Sequence, residues 1–458
     1  MIDLTTGSPL KKIMLFSIPL LIGNFFQQMY SFSDTLIVGQ TLGVKPLAAV
    51  GLTGALQFLV LGFANGLTVG LAIITAQKFG AKDLDGVKKS FAMGIVISLI
   101  TSIFVTILAL KFLPNILHVM RTPADIYEDA YLFIYIIFAG TFAQMAYNLL
   151  ANVYRAVGDS RTPLIFLVVG QVLNVILELW FILVFHMGVE GAGYATVISQ
   201  IVSAVLLIAW IPKHLPVLAI KWADFKMVGS RIWEHVRVGY PVALQSSIIA
   251  IGSVILQMAI NELGTDAVAA TTAASKIDQF AVLIFLSFGT AMATYTAQNY
   301  GARKFSRIIT GAKQITVVVI LISFVIGALE IFFADHLVSL FIENGGNAQI
   351  STMAQTYFNV VGVTYALLAI LFIWRNVLQG TGNSIVPTAS GVGELIARTF
   401  GGLFLVPILG YFGAMLSNPL SWTASVLVMG IPYVRLMREM KTLQGMEDYR
   451  DSKATVES

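Results

Sequence analysis

The chain has 458 residues, of which 57% are hydrophobic and 11% are charged. Soluble domains carry about a quarter charged residues, so this composition excludes them and indicates an all-α protein that crosses a membrane many times. The absence of cysteine rules out disulfides, thiolate nucleophiles and thiolate metal sites.

The net charge of +4 does not indicate nucleic acid, because the basic residues sort by membrane side rather than into a patch. Five scattered histidines, at 118, 186, 214, 235 and 336, form no HExxH pair, and neither a GxSxG elbow nor a Gly-Lys dipeptide of a Walker A loop occurs. The chain is therefore expected not to be an enzyme and to need no cofactor. Uphill work would draw on an ion gradient or on another subunit.

Apolar runs bounded by Gly, Pro and charge clusters predict twelve spans, at about 13–39, 47–77, 91–112, 128–151, 163–186, 192–212, 237–262, 268–298, 315–335, 353–375, 387–408 and 413–434. The first run is longer than a signal-peptide core and is read as a transmembrane helix. Of 28 Lys and Arg, 23 fall on one side, Lys45, Lys111 and Arg121 fall on the other, and Lys276 and Arg398 lie inside spans. The positive-inside rule makes the rich side cytoplasmic and places both termini there, in a cell membrane.

Internal repeats set the organisation. The stretch from Thr75, TAQKFGA, recurs as TAQNYGA from Thr296, 221 residues later. The stretch from Asn152, NVYRAVGDSRTP, recurs as NVLQGTGNSIVP from Asn376, 224 later, and Gly188-x-x-Gly-Ala recurs at Gly410, 222 later. The chain thus reads as a duplicated six-span unit. Because six is even, the copies are parallel repeats about an axis along the membrane normal, with substrate expected between them near the midplane. The expected division is an N-terminal lobe 1–212, a cytoplasmic linker 213–236, a C-terminal lobe 237–440 and a tail 441–458. The linker mixes Trp222, Phe225, Ile232 and Trp233 with basic residues and reads as interfacial.

Within the spans, polar residues mark candidate sites. Asp34 lies deep in the first span, and a short carboxylate snorkels poorly. An acid at such depth usually faces a cavity and works there. On the fifth span Asn174 and Glu178 are one turn apart on one face. No base lies within the spans of this lobe away from their ends, so these acids need a cation, either a proton or a sodium ion, to neutralise them. In the second lobe Lys276 and Asp278 on the eighth span and Glu394 and Arg398 on the eleventh read as a self-neutralising structural quartet. Pro19 and Pro241, at matching places in spans 1 and 7, are candidate hinges. Gly62, Gly66 and Gly70 form a small-residue face for close helix contact.

Taken together, Asp34-Thr-Leu-Ile-Val-Gly followed by Leu47-Ala-Ala-Val-Gly51, the paired Ala-Gln-x-[Phe/Tyr]-Gly-Ala ends, the Gly-[Asp/Asn]-Ser-x-x-Pro turns and Asn174-x-x-Leu-Glu178 resemble the multidrug and toxic compound extrusion (MATE) transporters. The resemblance covers the chain from Ser8 to about Met440. It implies twelve helices in two six-helix lobes shaped as a V, exporting organic cations in exchange for H⁺ or Na⁺. By this likeness Asp34 is the ion-coupling carboxylate, Asn174 matches the family's fifth-span Asn, and Glu178 stands where many members have Asp. The acid that some branches carry after the span 7 proline is missing from Pro241-Val-Ala-Leu-Gln-Ser-Ser. The coupling site is therefore most similar to the DinF-like branch, with the ion open between H⁺ and Na⁺.

The expected substrates are amphipathic small molecules, handled by a monomer in the lipid bilayer. Flexible Met and flat aromatic surfaces suit varied ligands, which makes Phe25, Gln28, Met29, Tyr30, Gln57, Met145, Gln257 and Met292 candidate cavity residues. The alternative is a flippase for a lipid-linked precursor on the same architecture. Such a protein would be expected to carry unpaired cations in its cavity, whereas Lys276 and Arg398 each lie near an acid.

Overall fold

The computed structural model describes residues 2–120, 122–226, 228–339 and 348–456, without the side chains of residue 55 and residues 447–456. Arg121 lies outside the described residues. The elements are α1 (Pro9–Thr41), α2 (Val44–Gly80), α3 (Leu84–Val119), α4 (Tyr127–Ala139), α5 (Thr141–Ala156), α6 (Arg161–Leu183) and α7 (Val189–His214), then α8 (Gly229–Asn261), α9 (Thr265–Gly301), α10 (Phe305–Phe332), α11 (Ala334–Ser339), α12 (Ala348–Gly380), α13 (Ile385–Phe400) and α14 (Val406–Val456). No strand occurs among the described residues.

Among the described residues ten helices are long and apolar enough to cross a membrane, or eleven when α4 and α5, bent by 45°, count as one span. The bend falls at Gly140, where a Cβ would lie 2.2 Å from Val197 Cγ2 on α7. The apolar run Ile385–Met446 enters that count once, yet it is broken at Gly410 (φ 59°, ψ −137°). It holds two crossings, and the total agrees with the twelve expected spans. A π-helical turn, Gly401–Leu405, joins α13 to α14, and α14 continues to Val456, so the expected tail extends the last helix.

The duplication is written in the backbone as well as in the residues. Left-handed conformations recur at the repeat spacing: Gly43 (φ 96°) with Gly264 (φ 100°), Lys82 (φ 59°) with Arg303 (φ 58°), and Gly158 (φ 86°) with Gly382 (φ 87°). Lys and Arg rarely adopt this conformation, so its repetition after α2 and α9 is a property of the shared turn.

The chain forms two compact units, one built from Ile22–Ser247 with Ile2, the other from Asp3–Leu21 with Ile248–Ser458. The divisions lie inside α1 and α8, two residues after Pro19 and six after Pro241. The expected boundary in the linker is thereby displaced, for a physical reason. Leu215 and Leu218 are buried in the first unit's core beside Phe91, Tyr154 and Leu207, so the linker is part of that core. In the second unit Leu4 is fully buried. Its carbonyl accepts from Asn299 Nδ2 and Arg307 Nη2, each at 3.1 Å, and Arg307 Nη1 donates to the Gly7 carbonyl at 2.6 Å.

The glycine face of α2 packs on the first part of α8. A Cβ on Gly70 would lie 2.6 Å from Gly239 Cα, and one on Gly66 would lie 2.8 Å from the Val242 carbonyl oxygen. Gly70→Val is therefore expected to destabilise the protein by about 1–3 kcal/mol, the usual cost of overpacking, read as a lowered melting temperature in detergent. Gly51→Ala, where an added Cβ meets nothing within 4 Å, serves as the silent control.

Candidate functional site

Three helices of the first unit bring polar groups together. Tyr30 and Asp34 are one turn apart on α1, Asn174 and Glu178 are one turn apart on α6, and Thr196 and Ser199 lie on α7. The Tyr30 hydroxyl is 3.4 Å from both Asp34 Oδ1 and Thr196 Oγ1. Asn174 Nδ2 donates to Thr196 Oγ1 at 3.2 Å and to Ser199 Oγ at 3.4 Å. The Glu178 carboxyl neighbours that of Asp34 in the same cluster.

The burial of these groups decides what they can do. Asn174 and Glu178 are buried, whereas Asp34 is partly open. Asn174 Oδ1 and both Glu178 carboxyl oxygens accept no hydrogen bond of ordinary geometry among the described residues. Such orphaned acceptors are costly, and here three of them are gathered beside a second carboxylate. An arrangement of carboxylate, amide and hydroxyl oxygens with no nitrogen or sulfur ligand suits a proton or a hard cation.

All three expected ion-coupling residues meet at this place. Tyr30, expected among the substrate contacts, belongs to it as well, while Thr196 and Ser199 were not anticipated. Of the other candidate substrate residues, Phe25 and Met29 are exposed on α1 and Gln28 is partly buried. Gln57 donates to Thr53 Oγ1 at 3.3 Å, and the exposed Gln257 donates to Asn261 Oδ1 at 2.9 Å. Met145 and Met292 are fully buried inside the first and second units respectively.

The expected quartet of the second unit is divided. Glu394 is held by Arg375, which also donates to Ser425 Oγ at 3.1 Å, and more loosely by Arg398 at 3.9 Å. Arg375, counted in the sequence among the bases of the cytoplasmic side, is buried. Asp278 belongs to a different group, in which Tyr357 donates to Oδ2 at 3.1 Å and Tyr365 donates to Oδ1. Tyr365 also lies 2.6 Å from Glu330 Oε2. Glu330 went unread in the sequence, and its buried position shows that the second unit has a paired-acid region of its own.

The MatE family model matches residues 19–180 and 241–400, more than half of the chain. The chain is 29% identical to the probable multidrug resistance protein YpnP of Bacillus subtilis over 83% of its own length and 84% of that protein. It is 25% identical to DNA damage-inducible protein F of Escherichia coli, covering 82% and 83% of the two chains. To the multidrug export protein MepA of Staphylococcus aureus it is 23% identical, covering 89% and 88%. Among solved structures, a MATE in the straight conformation superposes with a TM-score of 0.86 at 24% identity, over 96% of this chain and 98% of that one. An outward-facing multidrug resistance MATE family transporter matches with the same TM-score, identity and coverage.

Proposed function

The chain belongs to the MatE family, and from that premise we propose that it is a secondary antiporter that exports amphipathic, mainly cationic compounds in exchange for H⁺ or Na⁺ bound at Asp34 with Asn174 and Glu178. The observation that carries this reading is the set of orphaned acceptors, Asn174 Oδ1 and the two Glu178 oxygens, beside Asp34. A cation would satisfy all of them at once. Tyr30 and Thr196 link the carboxylate on α1 to the amide on α6, so ion occupancy bears on how these helices pack.

The names of the relatives, which are multidrug resistance and export proteins, support the export of varied small molecules. Phe25, Gln28 and Met29 precede the ion site on α1 and are the surface we assign to substrate, with Gln57 and Gln257 as further contacts. Pro19 and Pro241 are assigned as hinges, since the compact units divide shortly after each. The flippase alternative finds no comparable support, because Arg398 is buried against Glu394.

Vesicles containing the purified protein, given a panel of cationic dyes and a pH or Na⁺ gradient imposed separately, test the reading. Accumulation driven by one of the two gradients is expected. Dye movement that ignores both gradients would refute antiport. The excess of basic residues on one side also predicts cytoplasmic termini. A reporter active only outside the cell, fused after the last residue, is expected to stay silent, and a signal from it would invert the orientation.

A further inference from the structure

The first unit holds a cavity of about 430 Å³ that the acid cluster does not use. Its walls come from α3, α5, the end of α7 and the linker that follows, through residues such as Phe91, Ser98, Met145, Leu149, Ile211 and Ile220. On α3 the lining runs from Phe91 to Ser102, about 16 Å at 1.5 Å per residue. The cavity is therefore a slot lying along the helices. Leu218, Ala219 and Ile220 of the linker line one end of it. Leu99 and Phe142 are both lining and exposed, so the slot opens sideways where acyl chains are the solvent.

Two further observations indicate the occupant. The Ser98 hydroxyl is buried without a hydrogen-bond partner, whereas Ser102 donates to the Leu99 carbonyl at 2.8 Å. Lys213 directly follows the lining residue Pro212, and Lys221 directly follows the lining residue Ile220, so both chain segments at the linker end pass at once into an exposed lysine. Neither lysine is in an ion pair among the described residues. Beside them Trp222 is 92% exposed, an amphipathic ring of the kind that settles at headgroup level.

The geometry points to a binding site for an anionic phospholipid, with one acyl chain in the slot, the phosphate on Lys213 and Lys221, and Ser98 donating to an ester carbonyl. Basic residues at the end of a gap between membrane helices attract anionic headgroups, and the volume lies within the range of ordinary ligand pockets. The lysines also argue against an exported organic cation as the occupant, since they repel it. A lipid held there would brace the linker against α3 and α7.

The test uses the full chain, purified in detergent, stripped of lipid, and titrated with dioleoyl phosphatidylglycerol, dioleoyl phosphatidylcholine or glycerol phosphate while bound lipid is counted by native mass spectrometry. Phosphatidylglycerol should bind in preference, and Lys213→Gln with Lys221→Gln should weaken it roughly thirtyfold, the effect of two lysines at a membrane surface. Ala146→Phe should fill the slot and abolish the adduct. Independently of how that variant folds, phosphatidylglycerol with a photoreactive group in its chain should label residues 91–102 or 142–150 of the unaltered protein. Equal binding of the two lipids, full affinity in the double lysine variant, competition by glycerol phosphate as strong as the lipid's, or labelling confined to other segments would each overturn the proposal.

Discussion

Asp34→Asn is expected to insert and fold like the parent and to perform no gradient-driven export. The substitution keeps the size and the hydrogen bond from Tyr30 but removes the charge that the coupling ion neutralises, leaving the site permanently in its loaded form. Ion binding drives transport only if the two helix arrangements differ in affinity for the ion, and a site that cannot be emptied has no such difference to offer. Net import of one charge is worth about 2.3 kcal/mol per 100 mV. Where exchange imports one net charge, that energy would sustain roughly a fiftyfold substrate gradient; one-for-one exchange for a monovalent cation gains nothing from voltage and draws on the ion's concentration gradient alone, and the variant can use neither. Glu178→Gln should weaken export less, since Asp34 keeps its charge. The measurement is dye export from vesicles in which the ion gradient is the sole energy source. Parental rates from Asp34→Asn would move the coupling site to the second unit, where Asp278 and Glu330 share Tyr365.

The largest loss of stability is expected from Arg375→Ala. Arg375 is the closer of two guanidinium partners of the buried Glu394, and breaking a buried pair typically costs about 3–5 kcal/mol; without it Glu394 keeps only the looser contact with Arg398 at 3.9 Å. Folded yield on size exclusion should collapse. Arg375→Lys, which keeps a positive charge opposite Glu394, should recover part of it. Arg398→Ala should cost less, its contact with Glu394 being 3.9 Å. A lysine variant no better than Arg375→Ala would show that the charge opposite Glu394 does not stabilise the second unit.

What could be read without coordinates follows from how strongly each residue type is constrained in a membrane. Asp34, Asn174 and Glu178 stand out because carboxylates and amides are expensive in apolar runs, and the i,i+4 spacing on α6 puts two of them on one face. Thr196 and Ser199 could not be singled out. Hydroxyls in such helices usually bond to their own backbone, and these two do so, to the carbonyls of Ala192 and Thr196. Arg375 was misplaced because α12 runs on to Gly380, five residues past the expected end, turning a boundary charge into a buried one. Glu330 lies near the end of an apolar run, where an acid is easily taken for an interfacial residue. The twelve crossings were legible, including the pair within Ile385–Met446, because the break at Gly410 has a counterpart in the repeat at Gly188.

The membership of the two units constrains the order in which the nascent chain can complete them. Arg307 and Gly7 form a hydrogen bond across 300 positions of sequence. At synthesis rates of about 5–20 residues per second, the N-terminal segment leaves the ribosome roughly 15–60 s before its docking groups exist. The first unit in turn lacks the start of α8 until residue 247 has been made. The first unit therefore cannot close as soon as its own repeat has been synthesised, and the N-terminal segment stays undocked until its partners in the second unit have been made. A chain cut within 213–236 would yield two fragments that each lack a helix segment carried by the other, so the fragments would be expected to recover function only when co-expressed.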